Sequence, residues 1–137
     1  MDKVVVQQDR AYRVGFMAQN EGEKDLQEVV HIHELSPYTM LLASLGVCTT
    51  ILLHSYAQHH GVDLELAEIT LTYHRREMQG ASQGGRFEEW IEESLHMQGN
   101  LSEEEYQRMG QIGTQCSIHK MLESGIEVRS ELAPQAS

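Results

Sequence analysis

Residues 36–56 read S-P-Y-T-M-L-L-A-S-L-G-V-C-T-T-I-L-L-H-S-Y, and this stretch decides the fold. Ser36 is a favoured helix N-cap and Pro37 a favoured first helical residue, because proline has no N–H to leave unpaired there. Leu41, Leu42, Leu45, Cys48, Leu52 and Tyr56 recur at helical spacing, and Gly61, after Gln58-His59-His60, is a stop signal. Val47 and Ile51 make the opposite face apolar too. The pattern predicts a helix from Pro37 to about His60, buried nearly all round, with only its C-terminal end in water. One of the chain's two cysteines, Cys48, lies at its centre; the other is Cys116.

Outward from this helix, the N-terminal third reads as short strands: Val4–Val6, Tyr12–Phe16 and Glu28–His33, with a polar turn at Asn20–Asp25. They predict a small antiparallel meander. On the C-terminal side Ile69, Leu71 and Tyr73 alternate with polar residues. Gly80–Gly85 reads as a flexible loop, and Phe87, Ile91, Leu95 and Met97 share one side of a strand opposite Trp90. Together these make a long hairpin. Ser102 with Glu105 forms a capping box and opens a helix with Tyr106, Met109 and Ile112 inward. A short helix near Cys116 carries Ile118, Met121 and Leu122 and stops at Gly125. Ile126–Leu132 alternates as a final strand, and residues 133–137 form a tail. The order βββ–α–ββ–αα–β is that of an α+β protein, a single domain over residues 1–137 with a long central helix packed on antiparallel sheets.

The bulk numbers agree with one globular domain: 137 residues, 40% hydrophobic and 23% charged. Ten basic against 21 acidic residues leave a net charge of −11, so phosphate backbones and anionic membranes are repelled, and neither nucleic acid nor a membrane is an expected partner. The apolar run Met40–Leu53 is shorter than the roughly 20 residues that span a bilayer, and the N-terminus lacks a signal-peptide pattern. The expected location is the cytoplasm.

Taken singly, each cysteine fits as a small core residue. Taken together they allow a redox pair, although no C-x-x-C motif is present. Cys116 lies near a helix start, where backbone N–H groups favour a thiolate, whereas mid-helix Cys48 has no such help from its sequence neighbours. The histidines His31, His33, His54, His59, His60 and His119 read as surface residues. A zinc site through Cys48, Cys116 and His119 is a weaker reading, and no metal is expected. Glu88, Glu89, Glu92 and Glu93 read as the solvated face of a strand. No phosphate-cradling glycine motif or G-x-S-x-G elbow is present.

The segment Ser36–Thr49 resembles the "SP-x-x-LLLA-x-LG-x-C-T" helix of the OsmC/Ohr family of osmotically induced and organic-hydroperoxide-resistance proteins. Gln115–Glu123 resembles that family's second cysteine motif, and the resemblance extends over essentially the whole chain. It implies an intertwined homodimer and an oxidoreductase that reduces organic hydroperoxides with an external dithiol and no cofactor. Cys48 would be the peroxidatic thiolate and Cys116 its resolving partner through a disulfide. Tyr38, Leu45 and Leu52 would line an apolar substrate pocket. Where the family's peroxidases have a glutamate after the helix-opening proline, this chain has Tyr38, and Ser117 replaces a proline after the second cysteine. Glu34, with Arg10 or Arg13, would then supply the charges that tune the thiolate. The alternative function is a weakly catalytic or non-catalytic redox-sensing or small-molecule-binding dimer of the same fold.

Overall fold

The computed structural model describes residues 1–78 and 87–135. Strands β1 (Lys3–Asp9), β2 (Val14–Gln19) and β3 (Gln27–Glu28) form the expected antiparallel meander. Helix α1 (Pro37–His60) follows, then β4 (Asp63–Glu77) and β5 (Phe87–Asn100), which pair along their whole length. Helices α2 (Glu103–Gly113) and α3 (Ser117–Ser124) close the order. All five strands lie in one antiparallel sheet, β3-β2-β1-β4-β5. The predicted loop at Gly80–Gly85 lies outside the described residues.

Local chemistry places the ends of α1 where the sequence predicts. The Ser36 hydroxyl accepts the Thr39 N–H, and Gly61 closes the helix in the left-handed region (φ 65°). Asn20, in the connection from β2 to β3, fastens the N-terminus by accepting from Thr39 Oγ1 (2.7 Å) and from the Ser36 N–H (3.1 Å). Gly46 sets the closeness of α1 to the sheet: a Cβ there would stand 2.6 Å from Val6 Cγ2 and 2.9 Å from Leu71 Cδ1. The main core is therefore the inner face of β1, β2 and β4 (Val4, Val6, Ala18, Ile69, Leu71) against Leu42, Ala43 and Leu45 of α1, with Cys116 at its margin. A second cluster joins Leu53 and Ala57 to Leu64, Met97 and Met109 under α2. By length and composition α1 could cross a membrane, but half of its most apolar window is buried within this domain.

Several expectations are corrected. The strand expected at Tyr12–Phe16 starts at Val14, because Asp9 Oδ1 accepts from the Ala11 and Arg13 N–H groups and forms a tight turn with Tyr12 at φ 63°. The third strand keeps two residues. Beyond it Glu34 takes the Val30 and His31 N–H groups on its carboxylate and folds Ile32–Glu34 into a 3-10 turn. His31 and His33 thus stack on each other (centroids 5.3 Å apart) rather than sharing a strand face. The final strand Ile126–Leu132 does not form: residues 125–135 have no regular structure, and Ile126, Val128 and Leu132 are 65%, 80% and 96% exposed. An alternating pattern makes a strand only where a neighbour takes its N–H and C=O groups, and within this chain neither edge strand pairs with it. The α1 face bearing Tyr38, Met40, Leu41 and Ile51 is also exposed, so water reaches more than the C-terminal end of that helix. His54, in contrast, is buried and donates from Nε2 to the Gln8 carbonyl (2.6 Å).

Candidate active site at the two cysteines

Cys48 and Cys116, 68 residues apart in sequence, meet because the N-terminus of α3 abuts the middle of α1. Both are free thiols; Cys48 is half-buried and Cys116 is buried. Cys116 is the N-cap of α3, its Sγ accepting the His119 N–H at 3.2 Å. The helix thus starts with a sulfur where serine or aspartate is usual, and its first N–H groups, unpaired within the helix, point towards Cys48.

The two thiols are driven in opposite directions. Burial pushes the Cys48 thiol up, but hydrogen bonds from the Cys116 thiol, the Ile118 N–H and the hydroxyl and N–H of Ser117 outweigh it, and Cys48 lies below the ordinary thiol value. Cys116 lies above it, chiefly because it is buried and because its S–H is the donor to Cys48; the His119 N–H and Thr49 offset this in part. The help that sequence gave to Cys116, a helix start, is delivered in three dimensions to Cys48 as well. The arrangement can hold a Cys48 thiolate next to a protonated Cys116 thiol, which is what a nucleophile and a resolving thiol require.

A groove of about 620 Å³ lies between the first half of α1, β4 and β5, and α3, and its wall on α1 ends at Leu45, one helical turn before Cys48. Tyr38, Leu41 and Leu45 form one wall, and His119 and Leu122 another. Leu41, Leu45 and Cys48 follow one another at helical spacing, so the apolar stripe that lines the groove continues to the thiol. Leu52, expected in the pocket, instead packs against the main core. Tyr38 stacks on Tyr73 (centroids 4.6 Å apart), and the Tyr73 hydroxyl donates to the Glu89 carboxylate. Burial and the Glu89 carboxylate push the Tyr73 phenol far up, so it stays a neutral donor.

The acidic run on β5 is divided by the strand period. Glu89 and Glu93 point inward with Ile91 and line the groove, while Glu88 and Glu92 point away. Glu93 meets His119 Nδ1 at 3.0 Å, and Glu123 meets Nε2 at 2.7 Å. The Glu93 pair ties α3, and with it Cys116, to the sheet, while all four glutamates are exposed as expected. The ring of His119 is thereby directed away from a thiolate metal site, and among the described residues no three His, Cys, Asp or Glu side chains are placed to hold a metal ion.

The charged residues expected to tune Cys48 are engaged elsewhere. Arg10 pairs with Asp63, Arg13 with Asp9 (2.8 Å), and Glu34 with the backbone of its own turn, which holds its carboxyl below the usual range. The hydrogen-bond partners of Cys48 are uncharged. Sequence reading passed over Ser117, Glu93, Glu89 and Tyr73. The alternation of the β5 glutamates with Ile91 and Leu95 was the available signal for two of them.

A family model described as OsmC-like protein matches residues 27–131. The chain belongs to the OsmC family. Two solved structures are similar to it, and the first shares its fold. An OsmC-like hydroperoxide resistance protein from Jannaschia sp. CCS1 is 12% identical, with a TM-score of 0.62 over 99% of this chain and 95% of that one. An OsmC-like protein from Mycoplasma pneumoniae is 14% identical, with a TM-score of 0.49 over 87% of this chain and 85% of its own. No curated protein sequence matches the chain. The family match spans both cysteines, and the α+β arrangement of a long central helix on an antiparallel sheet is that of the OsmC fold.

Proposed function

We propose that this OsmC-family protein is a thiol-dependent peroxide reductase acting on organic hydroperoxides. The observation that carries the reading is the juxtaposition of two free thiols of opposite tendency, Cys48 lowered and Cys116 raised, with a largely apolar groove whose wall on α1 ends one helical turn before Cys48. The similar fold of the Jannaschia hydroperoxide resistance protein supports it.

The chemistry follows from the sulfurs. The Cys48 thiolate attacks the terminal oxygen of R–O–O–H; an S–O bond forms, the O–O bond breaks, and the alkoxide leaves as the alcohol after taking a proton. The resulting Cys48 sulfenic acid is attacked by the Cys116 thiolate, and one water departs as the disulfide forms. An external dithiol, the reductant, returns both cysteines to thiols and is itself oxidised. Leu41, Leu45, Ile91 and Leu122 give a greasy R group a place to lie, which favours an organic peroxide over hydrogen peroxide. Purified protein should consume cumene hydroperoxide with a dithiol, and stoichiometric peroxide should produce a Cys48–Cys116 disulfide detectable by peptide mass spectrometry. An unchanged dithiol protein after peroxide treatment would overturn the reading. One observation favours the alternative, a redox-sensing or small-molecule-binding protein: among the described residues, the hydrogen-bond partners of Cys48 are uncharged. That reading expects a single oxidation without turnover.

A homodimer belongs to the same proposal. The exposed face of α1 (Tyr38, Met40, Leu41, Ile51) flanks Cys48, and the unpaired alternating segment Ile126–Leu132 exposes its apolar side chains. A second copy would cover both and shield the thiol from water. Sedimentation equilibrium is expected to give twice the chain mass of 15.6 kDa, and Ile51→Glu is expected to shift it towards the monomer. The net charge of −11 keeps the reading free of nucleic-acid and membrane partners and fits a cytoplasmic protein.

A further inference from the structure

We propose that Ser117, from the first turn of α3, is the residue that sets the reactivity of Cys48, replacing a charged partner with two neutral donors. Its Oγ lies 3.8 Å from Cys48 Sγ, within reach for a sulfur hydrogen bond, and Cys48 is the partner the structure gives this hydroxyl. A hydroxyl can donate or accept, but a thiolate can only accept, so ionisation of Cys48 turns the contact into a charge-assisted bond. Ser117 is also the first residue of α3, and its N–H has no acceptor within the helix. Hydroxyl and N–H therefore converge on one sulfur from one residue, beside the Ile118 N–H. The two arginines expected to serve Cys48 do not: Arg10 and Arg13 are committed to Asp63 and Asp9.

Two consequences distinguish neutral donors from an ion pair. Removal of the Ser117 groups must raise the pH at which Cys48 ionises. Added salt must leave that pH nearly unchanged, because fixed short-range dipoles are screened far less than a charged pair at a half-exposed site. The fold permits a graded test. Ser117→Ala removes the hydroxyl alone. Ser117→Pro removes hydroxyl and N–H together at a position where proline suits a helix, and the preceding residue, Cys116 at φ −63° and ψ 144°, already has the extended conformation that proline demands.

The proposal rests on Cys48 as the reactive thiol of the reading above, and its test uses no peroxide. Iodoacetamide alkylation of the reduced full-length protein, quantified at Cys48 by mass spectrometry, is followed against pH at low and high salt. Because the folded thiol ionises below its ordinary value, alkylation of Cys48 should persist as pH falls through the range where an unfolded thiol has already protonated. Ser117→Ala should lower the Cys48 alkylation rate at neutral pH roughly tenfold, as loss of a hydrogen bond to a charged group implies, and Ser117→Pro should lower it further. The wild-type midpoint should stay fixed with salt. A midpoint indifferent to both substitutions, or one that moves with salt but not with Ser117, overturns the proposal. A protein whose midpoint obeys Ser117 but which consumes no hydroperoxide removes the peroxidase reading and leaves this one standing.

Discussion

Cys48→Ser is expected to bring dithiol-dependent peroxide consumption down to the uncatalysed background, while Cys116→Ser still cleaves one equivalent of peroxide and then stalls. The asymmetry follows from the site. The donors at the start of α3 stabilise a thiolate, and a serine hydroxyl in the same place stays protonated at neutral pH and cannot attack the O–O bond. Cys116 has no part in that first step beyond one hydrogen bond, so its loss should slow oxidation modestly and leave Cys48 as a sulfenic acid with nothing to resolve it. Both variants should fold. Serine is a better N-cap than cysteine at position 116, where the side chain already accepts the His119 N–H, and Cys48 is only half-buried. The measurement is peroxide consumption together with trapping of sulfenic acid by a cyclic 1,3-diketone. Trapped product at Cys48 in Cys116→Ser supports the assignment. Full activity in Cys48→Ser, or trapping at Cys116 in that variant, reverses the two roles.

Gly99→Ala is expected to be the most damaging small substitution in the sheet. Opposite Gly99 the β4–β5 pairing slips by one residue between Leu64 and Leu66, and the backbone of Gly99 takes φ 150°. A Cβ there would stand 2.1 Å from the carbonyl oxygen of Asp63 and 3.1 Å from the Glu65 nitrogen. These are backbone atoms of the paired strand, so no rotamer change relieves the clash, and the positive φ adds strain of its own. The cost is about 3 kcal/mol or more, a large part of the ~5–15 kcal/mol that holds such a domain together. Thermal unfolding should shift down by roughly 10 °C. Gly61→Ala is the comparison: its φ of 65° is also left-handed, but a Cβ there meets nothing within 4 Å, so only the conformational penalty of about 1 kcal/mol remains. Equal losses in the two variants would show that the contact with Asp63 contributes nothing.

The damage from Gly99 should reach the active site, because β5 leads directly into α2 and α3. Glu93 of β5 holds His119 of α3, and Cys116 opens that helix. Any slip of β5 in its pairing with β4 would move Glu93 to the outer face, since side chains alternate along a strand.

Much of this was present in the amino-acid sequence. The ends of α1 were legible because Ser36, Pro37 and Gly61 act on the backbone next to them, and the capping box at Ser102 and Glu105 formed for the same reason. The long β4–β5 pairing and the meander followed from alternation. The two cysteine motifs placed the chain in its family. What local signals could not show was which apolar or alternating face would find a partner. Ile126–Leu132 has the pattern of a strand and no neighbour in its own chain, and the outer face of α1 has the pattern of a core and lies open. Glu89 and Glu93 are exposed as expected, and only the direction of β5 shows that they lie on its groove-facing side.

The sequence by itself determined the three helices, the β4–β5 pair, their order and the identity of the two thiols, because caps, periodicity and turn residues act within a few positions along the chain. Only the tertiary structure brings the donors at the start of α3 to Cys48. The polarity of Cys48 comes from donors on α3 that begin 68 residues later, and hydrogen bonds to a sulfur are set by distance in space rather than in sequence.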